Sequence, residues 1–254
     1  MQARTRPGAG SRPTATRGAG RELLILANRR AGSLARAPGE TPLEQFAREA
    51  GFEPRVLYTR SAAQLRRILR EEVVGRRGRV AVAGGDGTIH SAVQELARTD
   101  VALGVLPQGT ANNFATALRL PRDLPSAFRV IAEGEERTVS LGLAGAEYFT
   151  EAAGAGIFAD VLALTSGRHG PLNALRALGV ALQTMLAGRF YRFSLEVDGE
   201  RRVENALSIT VANSFSVGYN LPIAPCATLT DRVLDVVIIG ALSRSELLPY
   251  FRAV

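Results

Sequence analysis

Short apolar runs alternate with amphipathic segments from residue 22 onwards. The apolar runs predict strands at residues 22–28, 53–58, 79–83 and 102–106. Apolar residues at helical spacing predict helices at residues 41–50, 61–74 and 89–98, the second with Ser61 as its N-cap. Because this alternation is typical of a parallel sheet, residues 22–140 are predicted to form an α/β domain with helices on both faces of the sheet.

The pattern changes near residue 141, after which strand-like segments predominate. They lie at residues 148–153, 190–197, 204–213 and 233–239. Asp198-Gly199 is a hairpin turn signal, whereas residues 171–187 have the pattern of an apolar helix. We therefore expect a mostly β second domain over residues 141–254.

The segment Gly84-Gly85-Asp86-Gly87-Thr88 lies between a buried-strand pattern and a helix start. Glycine lets a backbone approach an anion without Cβ clashes, and a helix N-terminus presents N–H groups and the positive end of the helix dipole. Gly-rich turns are also common without any ligand, so ordinary turn chemistry is the alternative. The Asp86 carboxylate fits a phosphate site only if a metal ion or a proton-bearing nucleophile accompanies the phosphate.

Two familiar phosphate-binding motifs are excluded at this turn. Its glycine spacing differs from the dinucleotide-binding fingerprint, and no lysine follows the last glycine as it does in a P-loop. All 31 Lys and Arg residues of the chain are arginines. A phosphate clamp here would therefore use arginine, backbone amides or a metal ion.

Polar or glycine-containing loops directly follow four predicted strands. Asn28 and Thr59 follow the first two, residues 84–88 follow the third and residues 107–112 follow the fourth. Ligands of parallel α/β sheets bind at the carboxyl ends of the strands. The four loops together therefore predict one binding site at this edge of the sheet.

The net charge of +7 is unevenly distributed. Residues 1–21 hold five arginines and no acidic residue among many Gly, Pro, Ser, Thr and Ala residues, which predicts a disordered leader. Without these five charges the remainder carries about +2, which argues against a nucleic-acid partner. Cys226 is the only cysteine, which excludes an internal disulfide, and no apolar stretch is long enough to span a membrane. We expect a cytoplasmic protein.

Two motifs together resemble the catalytic domain of the diacylglycerol kinase family, which includes sphingosine, ceramide and bacterial lipid kinases. The first motif is the turn at residues 84–88, and the second is Pro107-Gln108-Gly109-Thr110-Ala111-Asn112-Asn113-Phe114-Ala115. Further similar stretches are residues 28–32, 120–121, 134–142, 211–213, 224–227 and 231–235.

The resemblance implies transfer of the ATP γ-phosphate to a lipid hydroxyl, in a cleft between an α/β nucleotide-binding domain and a mostly β, sandwich-like domain. It implies ATP and Mg²⁺ as cofactors, and a lipid substrate at a membrane surface that the protein contacts peripherally. Asp86 would help to hold Mg²⁺ or orient the reacting groups, and Asp231 resembles a metal-site position of bacterial members. The implied nucleotide-binding residues are Asn28, Thr59, Gly84, Gly85, Gly87, Thr88, Gly109, Thr110 and Asn112.

Several positions depart from the family pattern. Asn113 stands where Asp is frequent, and Arg232 replaces the usual Gly beside Asp231. The late Asp-Gly-Glu segment of the family has a counterpart only in residues 198–200, which we interpret as a hairpin turn, so we expect the second domain to be incomplete. An enzyme similar to NAD kinases and a non-catalytic nucleotide-binding module are the alternative functions. The acceptor lipid and the oligomeric state are left open.

Overall fold

The computed structural model of the chain describes residues 22–29, 41–75, 78–157, 159, 179, 190–218 and 221–240. The expected leader at residues 1–21 lies outside the described residues. So does the predicted helix at residues 171–187, apart from Gly179.

The first part of the described chain is a parallel sheet whose four strands have the order β2-β1-β3-β4. The strands are β1 (Glu22–Asn28), β2 (Glu53–Thr59), β3 (Gly78–Gly84) and β4 (Val101–Pro107). The helices are α1 (Pro42–Glu49), α2 (Ala62–Glu72), α3 (Asp86–Leu96), α4 (Asn113–Ala117) and α5 (Leu124–Glu133). The α/β prediction is confirmed, and the structure adds α4 and α5, which the sequence pattern did not indicate.

Helices cover both faces of this sheet because successive side chains of a strand point to opposite faces. On one face, Leu26, Val80 and Val82 pack with the buried side of α2 and α3. On the other face, Ile25 and Ala81 pack with α1 and α5. Each fully buried Leu, Ile or Val side chain stabilises the fold by about 1.5–3 kcal/mol.

Side-chain caps define where α1 and α2 begin. Thr41 and Glu44 form a reciprocal capping box at the start of α1, and the Ser61 hydroxyl accepts a hydrogen bond from the Gln64 backbone at the start of α2, as predicted. Helix α3 differs from the expectation, since it begins at Asp86 rather than at residue 89. Three of the five residues of the predicted phosphate turn therefore lie in the first turn of a helix, with Gly85 as its N-cap.

The second part of the chain is built from antiparallel strands. The three-stranded sheet has the order β13-β10-β7, and three two-stranded pairs accompany it. The strands are β5 (Gly142–Ala144), β6 (Glu147–Phe149), β7 (Ala152–Gly156), β8 (Tyr191–Val197), β9 (Glu200–Ala206), β10 (Ser208–Ala212), β11 (Ser216–Val217), β12 (Leu221–Pro222) and β13 (Asp235–Ile239).

Two strands predicted as continuous are each divided in the structure. The segment at 148–153 separates into β6 and β7 at Thr150 and Glu151, because β6 pairs with β5 and β7 pairs with β10. The segment at 204–213 separates at Leu207, where the chain passes from the β8–β9 pair to the three-stranded sheet. The hairpin at Asp198-Gly199 is confirmed, with a positive φ at both residues.

Hydrogen bonds join the α/β layer to the β-rich part. The side-chain amide of Gln94 in α3 donates to the Tyr148 carbonyl at 2.8 Å and accepts from the Tyr148 N–H at 3.0 Å. The fully buried Asn213 donates from Nδ2 to the carbonyls of Ser140 and Thr150. The Gln94 bonds hold β6 beside the C-terminal end of α3, and the Asn213 bonds hold the β6–β7 junction at the end of β10.

Candidate active site

The two glycine-containing motifs touch through their backbones. A Cβ added to Gly85 would lie 3.0 Å from the Gly109 Cα, and a Cβ added to Gly109 would meet the Gly85 Cα at a still shorter distance. A Cβ on Gly84 would lie 2.5 Å from the Cβ of Thr88. Only glycine at these three positions permits so close an approach, which explains why both motifs need their glycines.

The carboxyl ends of the strands meet at this point, as the sequence predicted. Asn28 at the end of β1 donates from Nδ2 to the Thr88 hydroxyl in the first turn of α3, at 3.1 Å. Thr59 at the end of β2 is buried, and its hydroxyl donates to the Ala27 carbonyl at 3.3 Å. Thr59 therefore supports the backbone of the site, while its contact with a nucleotide stays a prediction.

The side chain of Asn112 holds the loop after β4 in shape. Asn112 accepts from the Gly109 N–H and donates to the Gly109 carbonyl, both at 2.8 Å. Asn112 adopts a left-handed conformation with φ 53°, which asparagine tolerates better than most residues. Its amide is buried in this ring of bonds, whereas Thr110 is exposed at the tip of the loop. Asn112 shapes the loop, and Thr110 is the residue presented outward.

Asp86 is the first residue of α3 and is half-buried. Its Oδ1 accepts a hydrogen bond from the Phe114 backbone at 3.2 Å, at the start of α4. The carboxylate thus lies between the two motifs, next to the exposed Gly87. The role of Asp86 in holding Mg²⁺ or orienting reacting groups stays a prediction.

A second carboxylate, Glu151, was missed by the sequence reasoning. Its Oε2 accepts from the Asn113 amide at 2.8 Å, and the same amide donates to the Gly218 carbonyl. Burial raises the pKa of Glu151 to about 7, with a smaller contribution from the negative charge of Asp86, and the bonds from Asn113 and the Gly218 N–H oppose the rise. The sequence pattern placed Glu151 inside one continuous strand, because the alternation of apolar and polar residues does not show that β6 ends and β7 begins there.

Asp231, the predicted metal-site residue, lies in the segment before β13. It is exposed, and its Oδ1 accepts from the Val233 N–H in a turn where Arg232 has φ 61°. Within the described ranges, no group of three or more His, Cys, Asp or Glu side chains is arranged to hold a metal ion. Metal binding by Asp231 stays a prediction. Cys226 is exposed. Among all the residues that the structure describes, no helix is long and apolar enough to cross a membrane.

Comparison with family models gives two adjoining matches. Residues 22–144 match the diacylglycerol kinase catalytic domain. Residues 151–254 match the YegS C-terminal NAD kinase beta sandwich-like domain. The residues of the α/β layer and of both glycine motifs fall within the first match.

Curated proteins and solved structures agree with these matches. A Chromohalobacter salexigens protein named "Probable lipid kinase YegS-like" is 34% identical over 76% of this chain and 63% of its own length. A Bacillus subtilis protein named diacylglycerol kinase is 29% identical over 80% of this chain and 68% of its own length. The chain thus spans about two thirds of the length of these relatives.

The fold has a solved counterpart as well. A crystal structure titled as a diacylglycerol kinase from Bacillus anthracis superimposes with a TM-score of 0.71 at 19% identity, over 91% of this chain and 78% of that one. At this identity the likeness concerns the fold alone. The two matched domains show that the chain belongs to the diacylglycerol kinase catalytic-domain family, in a form that continues into a YegS-type second domain.

Proposed function

We propose that this protein transfers the γ-phosphate of ATP to a hydroxyl of a diacylglycerol-like or sphingoid lipid. The observation that carries the proposal is the backbone contact between Gly85 and Gly109, with the Asp86 carboxylate beside it. This contact joins two separate glycine motifs into one surface where phosphate oxygens can approach backbone atoms closely. The names of the related proteins support a lipid as the acceptor.

Phosphoryl transfer needs mainly positioning and charge neutralisation, and the residues of the site suit both. The first turn of α3 supplies N–H groups and the positive end of the helix dipole for the phosphates. Asn28 holds the Thr88 hydroxyl in that turn. Asn112 keeps Gly109 close to Gly85, so the nucleotide surface keeps its shape.

Mg²⁺ fits this site as a companion of ATP. Protein sites for Mg²⁺ at transferring phosphates commonly use one or two carboxylates and take their other ligands from phosphates and water. Asp86 is the carboxylate that would serve there, and the ion would neutralise charge on the phosphates. A cage made only of protein side chains is not required, and the described residues contain no group of three or more His, Cys, Asp or Glu side chains that would form one.

The lipid substrate also sets where the protein would work. A hydroxyl of a diacylglycerol or sphingoid lipid lies at the surface of a membrane, so we expect the protein to approach the lipid from that surface. Peripheral membrane contact is therefore part of the proposal.

The deciding experiment incubates the purified chain with γ-labelled ATP, Mg²⁺ and mixed micelles that contain dioctanoylglycerol, sphingosine or ceramide. We expect labelled lipid from the parent and a loss of about 10²-fold or more in Asp86→Asn, with ATP binding retained. Asp198→Asn is the matched control, because asparagine preserves the hairpin turn far from the motifs.

The other outcomes separate the alternatives. Label appearing on NAD⁺ in a parallel reaction, and not on lipid, would favour the enzyme similar to NAD kinases. ATP binding without transfer to any acceptor would favour a nucleotide-binding module. Equal rates in the parent and Asp86→Asn would show that the assigned role of Asp86 is wrong.

A further inference from the structure

Glu151 is held rigidly at the junction between the two parts of the chain. Its carbonyl accepts from the Asn213 N–H at 2.8 Å and from the Ser214 N–H at 3.1 Å. Asn213 is itself fully buried and bonded to the neighbouring Thr150 carbonyl. The backbone at Glu151 is therefore fixed by the end of β10, and the side chain has a defined direction.

That direction brings the carboxylate of Glu151 to the two motifs of the α/β layer. Its Oε2 receives the Asn113 amide, and the next residue, Phe114, donates its N–H to Asp86. Two carboxylates, one from each part of the chain, thus bond to consecutive residues at the start of α4. Glu151 is intermediate in exposure, so part of the side chain reaches the surface of the described structure.

We propose that Glu151 is a catalytic residue that accepts the proton of the lipid hydroxyl as this hydroxyl attacks the γ-phosphate. This inference rests on the proposed kinase function and adds to it the group that activates the acceptor. Asp86 and the first turn of α3 then serve the nucleotide side, and Glu151 serves the side of the second domain, where the acceptor would enter.

The step balances in atoms and charge. The hydroxyl O–H bond breaks, and its proton passes to an Oε atom of Glu151. A bond forms between the hydroxyl oxygen and the γ-phosphorus, while the bond from that phosphorus to the bridging oxygen of ADP breaks. The products are the phosphorylated lipid, ADP and protonated Glu151, which returns its proton to solvent.

The surroundings of Glu151 suit this role better than those of the other titratable groups nearby. A general base works best when its pKa lies near the operating pH, and burial brings the pKa of Glu151 to about 7. Asp86 is the charged group that acts on it, while the Asn113 amide and the Gly218 N–H supply neutral hydrogen bonds. The His90 ring has a different neighbour, since it lies 3.3 Å from the Gln94 amide. That amide also bonds to the Tyr148 carbonyl, so His90 belongs to the contacts that join α3 to β6.

The test compares the parent with Glu151→Gln and Glu151→Asp in the lipid phosphorylation assay at saturating ATP and Mg²⁺, from pH 5.5 to 9. For the parent, we expect kcat/KM for the lipid to fall at the acidic end of this range, where Glu151 becomes protonated. In Glu151→Gln, kcat/KM for the lipid should be about 10²–10⁴-fold lower and should no longer fall at acidic pH. ATP binding by this variant should stay within a few-fold of the parent. Glu151→Asp keeps a carboxylate on a shorter chain and should retain part of the rate together with an acidic limb.

Glu147→Gln on the adjacent strand is the matched control, since Glu147 is exposed and far less constrained. A Glu151→Gln rate within about threefold of the parent would overturn the proposal. A raised Mg²⁺ requirement in that variant with its acidic limb intact would make Glu151 a metal ligand, which also overturns it. A parent that phosphorylates no lipid would overturn the kinase function and with it this role, and only that outcome affects both.

Discussion

Replacing Glu151 by glutamine should change how the stability of the protein depends on pH, whether or not a substrate is present. Glutamine keeps an oxygen that can accept from the Asn113 amide, and it removes only the charge. The carboxyl has a pKa of about 7 in the folded protein, against 4.5 for an unperturbed glutamate side chain. Folding is therefore linked to the protonation of this one side chain.

The direction of the effect follows from proton counting. Below pH 4.5 the carboxyl is protonated in both the folded and the unfolded state, so its titration does not lower the free energy of unfolding. Between about pH 4.5 and 7 the folded state keeps a proton that the unfolded state has lost, and the free energy of unfolding falls as the pH rises. Above about pH 7 the carboxylate is charged in both states, and the loss of stability is complete.

The size of the effect follows from the shift of the pKa. Each pKa unit corresponds to about 1.4 kcal/mol, so a rise from 4.5 to about 7 gives an upper limit of about 3 kcal/mol. Since the side chain keeps some contact with solvent, we expect about 2–3 kcal/mol. Relative to the parent, Glu151→Gln should therefore gain that amount of stability between pH 4 and pH 8.

The assay is urea unfolding of the parent and Glu151→Gln at several pH values over this range, with Glu147→Gln as the exposed control. The quantity of interest is the difference in unfolding free energy between variant and parent. A difference that stays constant from pH 4 to pH 8 would refute the shifted pKa. A change of equal size in Glu147→Gln would show that the effect does not belong to Glu151.

Other predictions concern the contacts that shape the site. Gly109→Ala should lower the unfolding free energy by about 1–3 kcal/mol and weaken ATP binding, because its methyl group would collide with the Gly85 backbone. Gly87→Ala is its control for stability, since a Cβ there meets nothing within 4 Å, and calorimetry that finds equal losses in both would contradict the argument. Gln94→Ala should cost about 1–3 kcal/mol by leaving both backbone groups of Tyr148 without their side-chain partner, and an unchanged denaturation midpoint would count against this bridge.

The α/β layer was predictable because its signals are local. The strand at residues 22–28 was predicted with the bounds that β1 has, and Ser61 was identified as the cap of α2. A buried strand is a continuous apolar run and a cap is a residue type at one position, so neither depends on distant parts of the chain. The short helix α4 was missed because its five residues follow a loop shaped by Asn112, which gives no periodic signal.

The candidate site was predictable in part. The Gly84–Thr88 turn and the loop at residues 107–112 both follow strands, and the rule for parallel sheets placed them together correctly. Nothing in the sequence indicated that Gly85 and Gly109 are in backbone contact, or that the helix begins at Asp86. Those details depend on how closely β3 and β4 pair and on the hydrogen bond that the Phe114 N–H donates to Asp86.

The sequence is sufficient to predict the layered α/β order, the strand-end position of the glycine motifs and the family that they resemble, because each of these depends on residues close together along the chain. The place of Glu151, in contrast, follows from long-range contacts. Glu151 is 38 residues from Asn113 along the chain. Its carboxylate reaches the Asn113 amide because β7 pairs with β10 and because the Asn213 N–H bonds to the Glu151 carbonyl. Burial in that position, rather than any local pattern, gives this carboxyl its pKa near 7.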